Sequence, residues 1–253
     1  MKKPYSVYCP QFNTTSGGIR VMWGLYGWLL AKGQIVYANA MFDNKDFVAI
    51  YPEIVNGNPM EARHIVRYLL NEPGVMSNGL EPSPTSFDPQ DKLYVFSELF
   101  NTVGADEDHH LFLPILDINL FKDEKRRVRP HKCVFVGKGD DLSFHPKDSI
   151  PIDRNLAQDQ AHLADFLNSC EVMYAYDPVS AMYEIARLCG CRIVLFNPKY
   201  SKEEFEKYEP GMNGISWNKD EEVKVDSDLF RQRYLDLREE FSQKLDLFID
   251  ATQ

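Results

Sequence analysis

Apolar residues along the chain fall into short runs of strand length, separated by stripes with helical spacing. Tyr5-Ser6-Val7-Tyr8-Cys9 reads as a strand, and a Gly-containing loop follows it. Ile19, Met22, Trp23, Tyr26, Leu29 and Leu30 then share one face of a helix that stops at Gly33. Ile35-Val36-Tyr37 and Phe47-Val48-Ala49-Ile50-Tyr51 have the length and composition of buried strands. Ile65, Val66, Leu69 and Leu70 are spaced as a second helix, from near Pro59 to just before Pro73-Gly74. Leu93-Tyr94-Val95-Phe96 and Leu111-Phe112-Leu113 add two more strands. Such alternation predicts an open parallel sheet with helices on its faces.

The charged stretch from Lys122 to Lys132, with Pro130 inside it, interrupts the pattern and reads as a solvated linker. Beyond it the alternation restarts. Cys133-Val134-Phe135-Val136 is a strand, Leu163, Phe166 and Leu167 mark a helix, and Val172-Met173-Tyr174 is a strand. Val179 to Cys189 is a helix and Ile193-Val194-Leu195-Phe196 a strand. A long amphipathic helix carrying Phe230, Tyr234, Leu237, Phe241, Leu245 and Phe248 closes the chain. The expectation is two α/β halves, 1–121 and 122–240, without a sequence repeat.

Composition narrows the classes. With 253 residues, 44% apolar and 26% charged, the chain is an ordinary globular one, not disordered, collagen-like or coiled-coil. Lys and Arg total 28 against 38 Asp and Glu, so the net charge is −10. Nucleic acid and anionic membranes are therefore not expected as partners. A small phosphorylated ligand is still compatible, because it needs only a few local donors. The five cysteines contain no Cys-x-x-Cys pair and sit mostly in apolar runs, as buried thiols of a cytoplasmic protein do. The apolar stretch Val21–Ala31 is shorter than the ~20 residues a bilayer requires, so no transmembrane segment is expected. The polar segment 13–18 argues against a signal peptide.

Open α/β sheets bind ligands beyond the carboxyl ends of their strands, and three loops there carry suitable residues. In Ser16-Gly17-Gly18-Ile19-Arg20, glycines let backbone amides approach an anion and Arg20 adds charge. The plain alternative is a turn with Ser16 as helix N-cap. In Val136-Gly137-Lys138-Gly139, glycines leave the lysine free to reach a phosphate, although the spacing is not that of an ATP-type loop. A surface turn with a solvated lysine fits equally. In Tyr176-Asp177-Pro178-Val179-Ser180-Ala181, Asp177 and Pro178 suit the N-cap and first helical position, leaving the next amides open to an anion. Glu184 falls on the stripe of Asp177, Ser180 and Ala181. Its plain alternative is a surface pair with Arg187.

The segment from Phe166 through Tyr176-Asp177-Pro178-Val179-Ser180-Ala181-Met182-Tyr183-Glu184 to Gly190 and Ile193-Val194 resembles the donor-binding segment of GT-B glycosyltransferases. The loops at Gly17-Gly18 and Gly137-Lys138-Gly139 are similar to the glycine loops opening the two domains of that fold. The resemblance implies two Rossmann-like parallel-sheet domains, with the end of the closing helix, 241–253, returning to the first. It implies a nucleoside diphosphate sugar held by Gly17, Gly18, Arg20, Gly137, Gly139, Tyr176, Asp177, Ser180, Ala181 and Glu184. Ser180 and Ala181 amides would contact the diphosphate, Glu184 the ribose hydroxyls, and Lys138 the leaving phosphate. It also implies transfer to a glycan or other hydroxyl acceptor, as in surface-glycan synthesis, without a catalytic metal or cofactor. Retaining members often carry Glu-x7-Glu; Tyr176 stands at the first position here, so retention and inversion stay open. Glu53, just after the strand ending at Tyr51, is the candidate base, with a plain loop carboxylate as its alternative. Asp106-Glu107-Asp108-His109-His110 reads as a solvated turn. Rival functions are a nucleotide-sugar epimerase or hydrolase of the same fold and a non-catalytic nucleotide-sugar-binding subunit.

Overall fold

The computed structural model describes residues 2–77, 81–196, 199–221 and 223–253. It is an α/β protein of two compact units, Met1–Ile115 with Leu237–Gln253, and Leu116–Asp236. The first unit contains β1 (Tyr5–Val7), α1 (Gly17–Ala31), β2 (Val36–Ala38), β3 (Val48–Pro52), β4 (His64–Leu69) and β5 (Lys92–Val95). Its five strands are all parallel, in the order β2-β1-β3-β4-β5. β1 and β3 are buried throughout, as the inner strands of a parallel sheet are, which is why they read as unbroken apolar runs.

On one face of this sheet, Tyr5, Val7, Val48, Ile50, Val66, Tyr68 and Tyr94 pack against Val21, Met22, Leu25 and Leu29 of α1. Phe241, Leu245, Phe248 and Ile249 complete that core. The opposite face holds Phe47, Ala49 and Tyr51 under Val55, Met60 and Ala62, so a connecting loop covers it where a helix was expected.

The helix expected from Pro59 to Leu70 is instead β4. Ile65, Val66, Leu69 and Leu70 fit helical spacing, but a strand buried on both faces also places apolar residues at both odd and even positions. Val66 and Tyr68 enter the first core while Arg67 points to the other face. Arg67 is accommodated there because Nε donates to Asp91 Oδ2 at 2.7 Å and the two Nη groups donate to the Val55 and Gly57 carbonyls. Leu111-Phe112-Leu113 is buried but is no strand. Leu111 N–H bonds to the Val95 carbonyl, and the Leu111 carbonyl accepts from the Tyr68 hydroxyl where a neighbouring strand would bond.

The second unit contains β6 (His131–Phe135), β7 (Ile150–Pro151), α2 (Arg154–Gln158), α3 (Gln160–Ser169), β8 (Cys170–Ala175), α4 (Met182–Leu188), β9 (Arg192–Leu195), α5 (Lys202–Phe205) and β10 (Ile215–Ser216). The strands are again parallel, ordered β7-β6-β8-β9-β10. Counted within each unit, both sheets therefore have the order 2-1-3-4-5. α6 (Ser227–Thr252) begins in the second unit and ends in the first.

The stretch from Lys122 to Lys132 is less solvated than expected. The Arg129 guanidinium donates to the Leu167, Cys170 and Cys189 carbonyls and to Asp123 Oδ1 at 2.6 Å. Asp123 also accepts from Ser227, and despite its burial these donors hold its carboxyl below the usual Asp value. The periodic signal of a charged run does not reveal which of its members find carbonyl partners. All five cysteines are buried and unpaired. Among the described residues no helix is long and apolar enough to cross a membrane.

Candidate functional site

In a 2-1-3-4-5 sheet the chain leaves the first and third strands in opposite directions, opening a crevice at their carboxyl ends. In the second unit that point lies between β6 and β8. It is lined by the connection Val136–Gly139 and the turn Tyr176–Ala181. The two are built into one another. Lys138 N–H donates to Asp177 Oδ2 at 3.0 Å, and Val179 N–H donates to Oδ1 at 3.2 Å. Gly137 has a left-handed backbone (φ 58°), and a Cβ there would run into the Asp177 carboxylate. A Cβ at Gly139 would meet the Tyr176 carbonyl, so close backbone approach demands glycine at both positions.

Asp177 is not the helix N-cap expected. α4 begins at Met182, because the Asp177 and Ser180 side chains bond the amides of Val179 and Met182 and hold 177–180 in turns. Burial raises the Asp177 carboxyl above its usual value, opposed by the Lys138 amide, the Lys138 charge and the Val179 amide. The Lys138 side chain is exposed, and no ion pair engages it among the described residues. The amides of Ser180 and Ala181 likewise meet no acceptor among the described residues. Two backbone donors and one lysine thus lie on the two loops at this point, a composition that suits an anion.

Glu184 follows one turn later and is buried, only 4% exposed, so the surface pairing with Arg187 does not occur. The Tyr208 hydroxyl donates to Glu184 Oε1 at 2.5 Å. Arg187 is fully buried, with its guanidinium 4.0 Å over the Phe230 ring and bonded to the Tyr183, Gly211 and Asn213 carbonyls. Burial lowers its pKa to about 10, while Tyr208 and Glu184 oppose that shift. Tyr208 lies 24 residues from Glu184, and no local spacing signals the contact.

In the first unit the equivalent point lies between β1 and β3. Ser16 caps α1 by accepting from Ile19 N–H at 3.4 Å, so Gly17 and Gly18 form its first residues. A Cβ on Gly17 would meet nothing within 4 Å, whereas one on Gly18 would touch Leu70 Cδ1 at 3.4 Å. Glu53 emerges directly from β3, is 3% exposed, and its Oε2 accepts from Leu70 N–H at 2.8 Å. Gly18 and Glu53 therefore converge on Leu70. Arg20 donates to the Ile115 carbonyl at 3.4 Å. His109 pairs with Asp106 and His110 with Glu98, yet no group of three His, Cys, Asp or Glu among the described residues is arranged to hold a metal ion.

No protein-family model matches this chain, and no curated protein matches it.

Proposed function

We propose that the chain is a cytoplasmic GT-B-type glycosyltransferase that moves a sugar from a nucleoside diphosphate to a hydroxyl acceptor such as a growing glycan. One observation carries the reading. The switch point of the second sheet joins Gly137-Lys138-Gly139 to the 177–181 turn, so an ammonium and unbonded amides border the crevice where such sheets take ligands. In this reading the Ser180 and Ala181 amides hold the diphosphate. Lys138 neutralises charge growing on the leaving phosphate, an interaction that is stronger in the transition state than in the ground state. In the same reading Glu184, whose carboxylate already accepts from Tyr208, would also accept from ribose hydroxyls. Glu53, at the switch point of the first sheet, would take the acceptor proton in an inverting reaction.

The test is incubation with a panel of radiolabelled sugar nucleotides, with and without hydroxyl acceptors. Acceptor-dependent transfer is the expected result, and it should survive excess EDTA because lysine and amides serve the diphosphate. Lys138→Ala should lower turnover at least about tenfold with an unchanged melting temperature, since an exposed lysine has little packing to lose. Donor isomerised or hydrolysed without acceptor would establish the epimerase or hydrolase reading. Binding without turnover would establish a carrier subunit.

A further inference from the structure

The connection that starts with Gly137-Lys138-Gly139 continues to Phe144 and His145, where it does something an ordinary surface loop has no need to do. Phe144 is 56% exposed, yet its backbone is anchored. The Tyr176 hydroxyl accepts from Phe144 N–H at 2.8 Å and from His145 N–H at 3.2 Å, and lies 2.9 Å from His145 Nδ1. Behind Phe144 stands an aromatic ladder. Tyr174 and Tyr176 both stack on Phe196, and Phe144 meets Phe196 edge-on with ring centroids 5.6 Å apart. The outermost ring of that ladder, on the connection that follows Gly139, is thus more than half exposed.

The hydroxyl also meets the His145 ring. A phenol has two lone pairs and one proton. Two backbone N–H groups use the lone pairs, so the phenol proton is the one left to bond Nδ1, and in the tautomer that accepts it the ring N–H is at Nε2. Asp141 Oδ1 is 3.7 Å from Nδ1, beyond hydrogen-bond range. Nε2 has no protein partner among the described residues.

We propose that Phe144 and His145 form a nucleobase subsite: the Phe144 ring stacks on the base, and His145 Nε2–H donates to an acceptor on the edge of that base. This rests on the nucleoside diphosphate reading of the same crevice. An exposed aromatic ring and a single donor, five and six residues beyond Gly139, match a ligand that carries a planar heterocycle and a diphosphate together. A sugar phosphate or free phosphate has nothing to offer the ring.

Titration calorimetry of the full chain with inorganic pyrophosphate, UDP, GDP and ADP tests this. The parent should bind at least one nucleoside diphosphate more tightly than pyrophosphate. Phe144→Ala should weaken that nucleotide roughly 5- to 140-fold, the equivalent of ~1–3 kcal/mol for base–aromatic stacking, and leave pyrophosphate unchanged. Phe144→Trp should restore binding, and His145→Ala should weaken the nucleotide but not pyrophosphate. If Phe144→Ala binds nucleotide like the parent, or the parent binds pyrophosphate and nucleotides equally, the subsite is wrong and the anion crevice stands. If the parent binds none of the four, the subsite and the donor reading fall together.

Discussion

Replacing Glu184 is where the buried geometry departs most from what a surface carboxylate would do. Glu184→Ala leaves the buried Tyr208 hydroxyl without its acceptor and takes a negative charge away from the fully buried Arg187. An orphaned buried group costs ~1–3 kcal/mol, and more when it is charged. The variant should unfold at clearly lower urea concentration, and Glu184→Gln, which keeps an acceptor oxygen, should lose less. Unfolding coincident with the parent would show that Tyr208 and Arg187 do not depend on the carboxylate. From sequence, Glu184 was legible as a residue beside the 177–181 turn but not as a buried one, because Tyr208, which bonds it, and Gly211 and Phe230, which enclose the neighbouring Arg187, come from distant segments. Asp177 was legible as a residue that bonds backbone amides. Which amides it takes was not, since Asp-Pro suits a helix cap and a turn equally.

Among elements, α1 and most strands follow from local signals. Ser16 supplies the cap the helix needs, and β3 is long, apolar and rich in β-branched and aromatic residues. β4 was lost because its six residues alternate between two buried faces, a pattern that also satisfies helical spacing. The residue that breaks the tie is Arg67, whose partner Asp91 arrives only 24 positions later. Both side chains are almost completely buried, 4% and 3% exposed. Arg67→Ala therefore leaves Asp91 as an uncompensated charge and should cost ~3–5 kcal/mol, read by chemical denaturation. Replacing both together, Arg67→Met with Asp91→Leu, should recover much of that loss. Equal destabilisation by the single and double variants would show that the pair is not what holds the strand. The same comparison asks whether the loop at Val55–Gly57, whose carbonyls Arg67 also bonds, needs the guanidinium for its shape.

At the scale of the whole molecule, the alternation of elements conveyed an α/β chain with two sheets. It did not convey the shared 2-1-3-4-5 order, since strand neighbours are set by long-range pairing rather than by any local pattern. That order matters because it selects which two loops of each sheet border its switch point. The discontinuity of the first unit matters as much. Its core holds Phe241, Leu245, Phe248 and Ile249 from the last helix, each nearly or fully buried. Removing residues 237–253 should leave the amides of β1, β3 and β4 unprotected in hydrogen exchange, while those of β6, β8 and β9 keep their protection. Retained protection in β1 and β3 would mean that the first core closes without the helix. During synthesis the same arrangement reverses the usual order of events, in which the N-terminal part folds first. Residues 116–236 form an unbroken segment and have every strand of their sheet once residue 216 has left the ribosome. The first sheet, made earlier, has α1 on this face but waits with Tyr5 and Tyr94, which both pack on Phe248, incompletely covered until residues 241–249 appear. A nascent chain stalled just short of that point should therefore expose the apolar surface of the first sheet that Phe241, Leu245, Phe248 and Ile249 go on to bury.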